Sequence, residues 1–177
     1  YPDLKHLPDD LKHGYVPAAS EMGAPHNWSF FGKGSAVQTE PVNVPRGKVM
    51  GGTSAINGQV FLRGVPEDYD RWAQEGAEGW GFDEVLPYFK RSENYYQGED
   101  DYHGVGGPLH VSPLTDTSRL SDAFLAAAPA ADLAVLDDFN RDVREGLGYY
   151  HVTQVNGQRC STAKGYLSQA KHRGNLV

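Results

Sequence analysis

A glycine-rich run over residues 46–58 restricts the possible folds and ligands of this chain more than any other sequence feature. It follows Pro45 and reads RGKVMGGTSAING. Glycines at positions 47, 51 and 52 permit positive φ and a close approach of the main chain to a ligand, and successive N–H groups in such a turn form a concave anion site. The stretch Thr53–Phe61 is predicted to begin a helix whose positive end faces the same ligand. The run therefore predicts a bound phosphate group or electron-rich ring.

The run resembles the first signature of the glucose-methanol-choline (GMC) family of FAD-dependent oxidoreductases. The one departure is Met50, where an aliphatic residue is usual, and methionine fills a similar volume. The matching signature positions are Gly47, Lys48, Gly51, Gly52, Thr53, Ser54, Ile56, Asn57, Phe61, Gly64 and Asp70. The resemblance continues through Arg63–Trp72, Gly79–Trp80, Leu86–Glu93, Gly157–Ser161 and Gly165–Leu167. It covers most of the chain.

The resemblance implies a noncovalently bound FAD. Some relatives carry a histidine covalently linked to the flavin at the position of Ile56, and an aliphatic side chain has no such nucleophile. Asn57 and Gly58 are expected near the reactive edge of the isoalloxazine. The residues assigned to cofactor binding are Val49, Gly51, Gly52, Thr53, Asn57, Gly58, Gln59 and Val60.

Two of these assignments have alternatives. A small residue at position 58 leaves room for the substrate carbon beside flavin N5, but Gly58 also relieves crowding at the start of a helix. Thr53 and Ser54 can donate hydrogen bonds to phosphate or ring oxygens, or they can cap the helix that follows. Both roles of the hydroxyl residues are compatible.

No catalytic residue is predicted within the chain. By the resemblance, the catalytic histidine and its histidine or asparagine partner lie C-terminal to these residues. The sequence contains no Gly-x-Ser-x-Gly elbow and no His-Glu-x-x-His zinc motif, and Asp100, Asp101 and His103 are interpreted as a solvated loop, so no metal site is predicted. The histidines, none of which lies in a catalytic motif, are His6, His13, His26, His103, His110, His151 and His172.

The chain is predicted to be an α+β fragment of a larger α/β FAD-binding fold of GMC type, without its Rossmann βαβ unit and C-terminal catalytic half. The Rossmann fingerprint requires Gly-x-Gly-x-x-Gly between a strand and a helix. The nearest sequence, Gly104–Pro108, instead predicts a turn into a strand over Leu109–Ser112. We predict that residues 1–65 belong to the FAD-binding domain, that 66–156 join the FAD and substrate domains, and that 157–177 return to the FAD-binding domain.

Local patterns predict the helices and one hairpin. Pro66 followed by two acidic residues starts a helix that ends at Gly76. Apolar periodicity predicts further helices over residues 83–93, 118–131 and 162–170. The pair Asn156-Gly157 predicts a hairpin turn, and Asn175–Val177 is expected to open a strand. Residues 1–45 are expected to form irregular connections around short strands, anchored in the core by Trp28, Phe30 and Phe31.

Composition excludes several classes of protein. The formal net charge of -7 argues against a nucleic-acid surface, which needs clustered Lys and Arg. No apolar run approaches the roughly 20 residues that span a bilayer. Cys160 is the single cysteine, so an internal disulfide is excluded. This favours a cytoplasmic or membrane-peripheral location over a disulfide-rich secreted protein.

The resemblance implies oxidation of the CH–OH group of an alcohol or choline-like substrate, with hydride transfer to flavin N5. The expected partners are a small-molecule alcohol and an electron acceptor, either oxygen or a quinone-type carrier. Two alternatives stay open at this point. One is a lyase of the same family that keeps FAD without redox turnover, and the other is a noncatalytic binding or structural module.

Overall fold

The computed structural model describes residues 6–8, 11 and 17–176 and divides into two compact units. The first unit combines residues 1–59 with 159–177, and the second unit is residues 60–158. Helices and strands occur in this order: β1 (Phe30–Gly32), β2 (Val42–Val44), α1 (Pro66–Gln74), α2 (Phe82–Ser92), β3 (Glu93–Tyr95), β4 (Leu109–Val111), α3 (Arg119–Ala127), β5 (Gln154–Val155), β6 (Gln158–Arg159) and α4 (Ser168–Ala170).

The described residues also form 3₁₀ helices and a π-helical segment. The 3₁₀ helices span Pro17–Ser20, Gly52–Ala55 and Ala128–Ala131, and a π-helical segment spans Ala163–Leu167. The assignment of residues 1–65, 66–156 and 157–177 to domains of a larger protein stays a prediction. Within the described part of the chain, no helix is long and apolar enough to cross a membrane.

The first unit is built around an antiparallel β1–β2 pair with Phe31 opposite Asn43. The expectation that Trp28, Phe30 and Phe31 lie in the core is wrong, because they are 53%, 52% and 66% exposed. A two-stranded sheet buries side chains only where another layer covers it. Here Trp28 instead stacks on Phe30, with 6.1 Å between ring centroids, and Lys48 Nζ lies 4.9 Å from the Trp28 ring.

The second unit packs α1 against α2 through Tyr69, which is buried. Its ring contacts Phe82 and Phe89 at centroid distances of 6.0 and 5.7 Å. Pro66 lies at the start of α1, as predicted, and Gly76 follows its end with a φ of 110°. Prolines suit the first turn of a helix and glycines suit a left-handed terminus, which explains these bounds.

Strands β3 and β4 pair in parallel, with Glu93 opposite Leu109 and Tyr95 opposite Val111. The predicted turn into β4 is confirmed, because Gly106, three residues before the strand, has a φ of 77°. Strands β5 and β6 form the predicted hairpin. Its turn residues Asn156 and Gly157 have φ values of 51° and 70°, the left-handed pair that a type I′ turn requires.

Three helix and strand predictions need correction. The helix expected from Thr53 is only the 3₁₀ turn Gly52–Ala55. The helix expected over 118–131 is α for Arg119–Ala127 and becomes 3₁₀ at Ala128, one residue before Pro129, which has no N–H to continue the α pattern. Residues 171–176 form turns rather than the start of a strand, and Val177 lies outside the described residues.

Candidate functional site

The glycine-rich run forms a compact turn in the first unit. Gly51 and Gly52 have φ values of 95° and 56°, while Gly47 has no positive φ, contrary to expectation. Gly47 is required by close packing instead, since a Cβ built there would lie 2.2 Å from the carbonyl oxygen of Gly52. The Gly52 N–H donates to the Val49 carbonyl at 2.8 Å. The turn is therefore tightly packed where Gly47 contacts Gly52, and it carries no side chain at Gly51 and Gly52, while the side chain of Met50 beside them is exposed.

A buried asparagine attaches the start of the turn to the preceding segment. Asn27 Oδ1 accepts hydrogen bonds from the backbone N–H groups of Ser29 and Arg46, both at 3.0 Å. Its Nδ2 donates to the carbonyls of Ser20 and Glu21 at 3.0 and 2.9 Å. One side chain thus satisfies four backbone groups, which fixes the position at which the run begins.

Two hydroxyl residues attach the middle of the turn to the C-terminal segment of the same unit. Ser54 Oγ donates to the Gly51 carbonyl at 2.5 Å and accepts from the Thr162 N–H at 2.9 Å. Thr162 Oγ1 donates to the same Gly51 carbonyl at 3.1 Å. Ser54 is therefore occupied by the protein itself, whereas Thr53 is exposed and its Oγ1 accepts from the Gly47 N–H at 3.2 Å.

Asn57 lies near the end of the run, and a hydrogen bond of its side chain interrupts helical geometry. Its Oδ1 accepts from the N–H of Gln59 at 3.1 Å, and Gln59 has a left-handed φ of 64°. Left-handed backbone is uncommon outside glycine and often marks a functional position. Arg159 also contacts this point, because its Nη1 lies 2.8 Å from both the carbonyl oxygen and Oδ1 of Asn57.

Most of the predicted cofactor residues lie together along this turn. The exposed members are Thr53, Asn57 and Gly58, the half-buried members are Val49, Gly51 and Gly52, and Gln59 is buried. Val60 belongs to the second unit, where it pairs with Val152 in an isolated bridge. Contact of any of these residues with FAD stays a prediction.

A cluster of buried charged residues occupies the second unit. Glu93 and His103 are both fully buried, and His103 Nδ1 lies 3.0 Å from Glu93 Oε1. The other ring nitrogen, Nε2, lies 2.7 Å from Asp138 Oδ2. Arg63 Nη2 donates to Glu93 Oε2 at 2.8 Å, and Tyr95 stacks on the imidazole with ring centroids 3.7 Å apart. We refer to Arg63, Glu93, His103 and Asp138 as the buried charge cluster.

The two carboxylates favour a protonated His103. Burial alone would lower the pKa of His103, but its hydrogen bonds to Asp138 and Glu93 raise that pKa above its ordinary value. Burial would raise the pKa of Asp138, but hydrogen bonds with His103 and His151 hold it well below the ordinary range. Burial lowers the pKa of Arg63, and the charge of Glu93 opposes that effect. The cluster is thus a set of alternating charges.

The interpretation of residues 100–103 as a solvated loop was wrong for His103. The exposed Asp101 fits it, but Asp100 Oδ1 accepts from the N–H groups of Tyr102 and His103, both at 2.8 Å, and this turns the imidazole inward. Both ring nitrogens of His103 are occupied, so the side chain is held as a structural ion rather than as an accessible base. The members of the cluster come from distant parts of the sequence, so no short motif could have revealed it.

A match with a protein-family model covers most of the chain. A family model described as GMC oxidoreductase matches residues 30–177. That range contains the glycine-rich turn and the whole of the second unit. It also contains each residue of the buried charge cluster.

The chain is similar to two choline dehydrogenases over most of its length. An oxygen-dependent choline dehydrogenase from Sinorhizobium fredii is 42% identical over 152 residues, which cover 85% of this chain and 28% of that protein. One from Brucella anthropi is 40% identical over 167 residues, which cover 91% of this chain and 30% of that protein. The chain therefore spans less than a third of the length of either relative.

A solved structure shares the architecture. The crystal structure of pyridoxine 4-oxidase from Mesorbium loti is similar over 91% of this chain and 33% of that chain, with a TM-score of 0.80 and 30% identity. This match confirms the predicted fold class, an α+β part of a larger fold.

Proposed function

The chain belongs to the GMC oxidoreductase family, as the resemblance predicted, and from that premise we propose that the whole protein is an FAD-dependent oxidoreductase acting on the CH–OH group of its donors. The observation that carries the proposal is the glycine-rich turn of residues 47–58. Its backbone carries no side chain at Gly51, Gly52 and Gly58, and Gly58 is exposed. When bound, FAD supplies the hydride acceptor at N5.

The residues of the turn fit a flat, phosphate-bearing ligand. A Cβ built at Gly52 or Gly58 meets no atom within 4 Å, so the backbone at both positions faces open space. The backbone of Gly47 packs closely against the Gly52 carbonyl, and this contact supports the position of Gly52. A backbone without side chains permits a ligand to approach the N–H groups closely. We propose that Val49, Gly51, Gly52, Thr53, Asn57, Gly58, Gln59 and Val60 contact FAD.

The proposed cofactor is noncovalent, because Ile56 carries no nucleophile. Each described residue of the first unit would then act by binding and orientation rather than by bond formation. We also propose that the first unit belongs to the FAD-binding domain and that the second unit joins it to the substrate domain. The turn supports this division, since it lies within the first unit up to Gln59.

Choline is the first candidate substrate. Two relatives named oxygen-dependent choline dehydrogenase are 42% and 40% identical to the chain, which also makes oxygen the first candidate acceptor. The structural neighbour is named for oxidation of pyridoxine, a different primary alcohol, so pyridoxine is the natural comparison. Both compounds present a CH–OH group, which is the shared requirement of the proposal.

The test is anaerobic reduction of the purified whole protein. The proposal predicts flavin absorbance, release of intact FAD on acid precipitation, and bleaching when choline or pyridoxine is added. An unchanged spectrum with every alcohol would favour the lyase alternative. A protein without flavin would refute the proposal and favour a noncatalytic module.

A variant of Gly58 tests the location of the cofactor. Gly58→Val adds a side chain where the protein has open space and φ is not positive, so the fold tolerates it. We expect this variant to lose FAD or to lose affinity for the alcohol. Gly174→Val is the matched control, because a Cβ there also meets no atom within 4 Å. Equal flavin content and equal kinetics for both variants would contradict the assignment.

A further inference from the structure

Arg159 makes an unusual set of contacts at the end of the glycine-rich turn. Its Nη1 donates to the carbonyl oxygens of Ser54 and Asn57 at 3.1 and 2.8 Å, and to Asn57 Oδ1 at 2.8 Å. These acceptors lie on both sides of Ile56, where the 3₁₀ turn ends. One guanidinium thus holds the main chain and the side chain of the same asparagine.

These contacts fix the orientation of the Asn57 carboxamide. Oδ1 accepts from two donors, Arg159 Nη1 and the backbone N–H of Gln59. Rotation of the amide by half a turn would set its NH₂ group against both donors, which is unfavourable. The oxygen therefore faces the protein and Nδ2 faces away from it. Within the described residues Nδ2 makes no hydrogen bond, and the side chain is exposed.

The charge of Arg159 is not neutralised by a neighbouring acid. Among the described residues no carboxylate forms an ion pair with Arg159, and its buried Nε has no hydrogen-bond partner. Burial lowers the pKa of the guanidinium, and no charged group opposes that effect. An arginine nevertheless stays protonated at neutral pH. A positive charge is therefore maintained beside Asn57, where the described residues supply no counter-charge.

We propose that Arg159 is a positioning residue of the flavin site: it holds the Asn57 carboxamide so that both Nδ2 hydrogens are free to bind the flavin ring, and it supplies an uncompensated positive charge that stabilises the reduced ring. The proposal rests on the proposed function of the turn. Hydrogen-bond donors and positive charge close to a flavin favour the form that carries more negative charge. Arg159 would therefore raise the reduction potential of the cofactor.

The test is the two-electron midpoint potential of the flavin in the purified whole protein. We expect Arg159→Gln to reduce the equilibrium constant for reduction about tenfold, which corresponds to ~30 mV for a two-electron couple. Arg159→Lys keeps the charge and is expected to recover most of that loss. Arg173→Gln, which removes an exposed charge from the same unit, is expected to leave the potential unchanged. Thermal stability is measured in parallel on each variant.

A purely structural role gives a different result. If Arg159 only clamps the loop, Arg159→Gln lowers the melting temperature and leaves the potential unchanged, and the proposal is overturned. If Arg159 instead serves the diphosphate of FAD, the variant binds FAD more weakly at an unchanged potential, which also overturns it. A wild-type protein without flavin would refute the proposed function itself, which is a distinguishable outcome.

A variant of Asn57 provides an independent test. Asn57→Ala removes an exposed side chain together with the acceptor of the Gln59 N–H and of Arg159 Nη1, so its melting temperature is measured beside its potential. If Arg159 acts partly through Asn57, this variant lowers the midpoint potential, and adding Arg159→Gln lowers it by less than Arg159→Gln does in the wild-type protein. An unchanged potential in Asn57→Ala, or strict additivity of the two substitutions, would contradict the proposed coupling. If Arg159→Gln fails to fold, the potential of the single variant Asn57→Ala still tests whether the Asn57 carboxamide acts on the flavin.

Discussion

Glu93→Gln should destabilise the second unit more than any conservative surface change. Glu93 is fully buried, and its oxygens accept from Arg63 Nη2, His103 Nδ1 and the Gly104 N–H at 2.8, 3.0 and 3.2 Å. Glutamine keeps the shape but replaces one acceptor oxygen by a donor. It also removes the negative charge that lies between two buried cations.

The magnitude follows from this geometry. Removing one partner of a buried ion pair costs about 3–5 kcal/mol, because the other charge stays buried and uncompensated. His103 can lose its proton in the variant, and its free nitrogen can then accept from the new amide, so we expect the lower end, ~3 kcal/mol. At 1.4 kcal/mol for each factor of ten, this increases the population of the opened unit by about 100-fold.

Hydrogen–deuterium exchange of the whole protein measures this opening by segment. Peptides from residues 60–158 should lose protection, while peptides from the first unit serve as an internal reference. Asp68→Asn is the matched control, because it makes the same acid-to-amide change in an exposed pair with Arg71 at 3.1 Å. Exposed pairs contribute ~0–1 kcal/mol. Equal effects of Glu93→Gln and Asp68→Asn would refute the argument that the buried charges stabilise this unit.

Three further predictions concern pH, a glycine and a helix cap. The stability contributed by His103 is fully present below its ordinary pKa of 6.5 and is lost as pH rises through its raised pKa in the folded state. The stability contributed by Asp138 is present above its ordinary pKa of 3.8 and is lost as pH falls through its depressed pKa in the folded state. The urea concentration at the midpoint of unfolding should therefore be highest between pH 3.8 and pH 6.5. Gly47→Ala should disrupt the glycine-rich turn, because its Cβ would lie 2.2 Å from a carbonyl oxygen, and flavin content measures the loss. Ser118→Ala should destabilise α3 by ~1 kcal/mol, since its Oγ caps the helix, and exchange of the α3 amides measures the change.

Each of these predictions has a control. His103→Gln should abolish the alkaline decline in stability, and a decline that persists in this variant would assign it to another group. Gly174→Ala should retain flavin, because its Cβ meets no neighbour, and a loss equal to that of Gly47→Ala would contradict the steric argument. Ser118→Asp should keep the cap and the stability of α3, so equal losses in both Ser118 variants would show that the cap is not the cause.

Elements with strong local signals could be predicted from the sequence. Pro66 and the acidic residues after it gave the start of α1 correctly, because they suit a helix N-terminus in any tertiary context. Asn156-Gly157 gave the hairpin, because a type I′ turn requires two left-handed residues. The family resemblance, which depends on residues rather than on contacts, was also confirmed.

Features that depend on distant contacts could not be predicted. The helix expected from Thr53 stops because the Asn57 side chain bonds the N–H of Gln59, a local competition with helical hydrogen bonding. Phe31 was expected in the core, but burial depends on a covering layer that local sequence does not reveal. The buried environment of His103 arises from residues 10 and 35 positions away. The candidate cofactor residues from Val49 to Gln59 lie along one turn, Val60 belongs to the second unit, and the contacts of all of them with FAD stay predictions.

The discontinuity of the first unit has a consequence for synthesis of the protein. The contacts of Arg159 and Thr162 with the glycine-rich turn close loops of 102 to 111 residues. Loop closure has an entropic cost that rises slowly with length, and domains generally fold as they leave the ribosome. The contacts within residues 60–158 can therefore form before Arg159 is made, whereas the contacts of the glycine-rich turn with Arg159 and Thr162 must wait for those residues. We expect a nascent chain halted before Arg159 to contain a finished inserted unit and an incomplete cofactor turn.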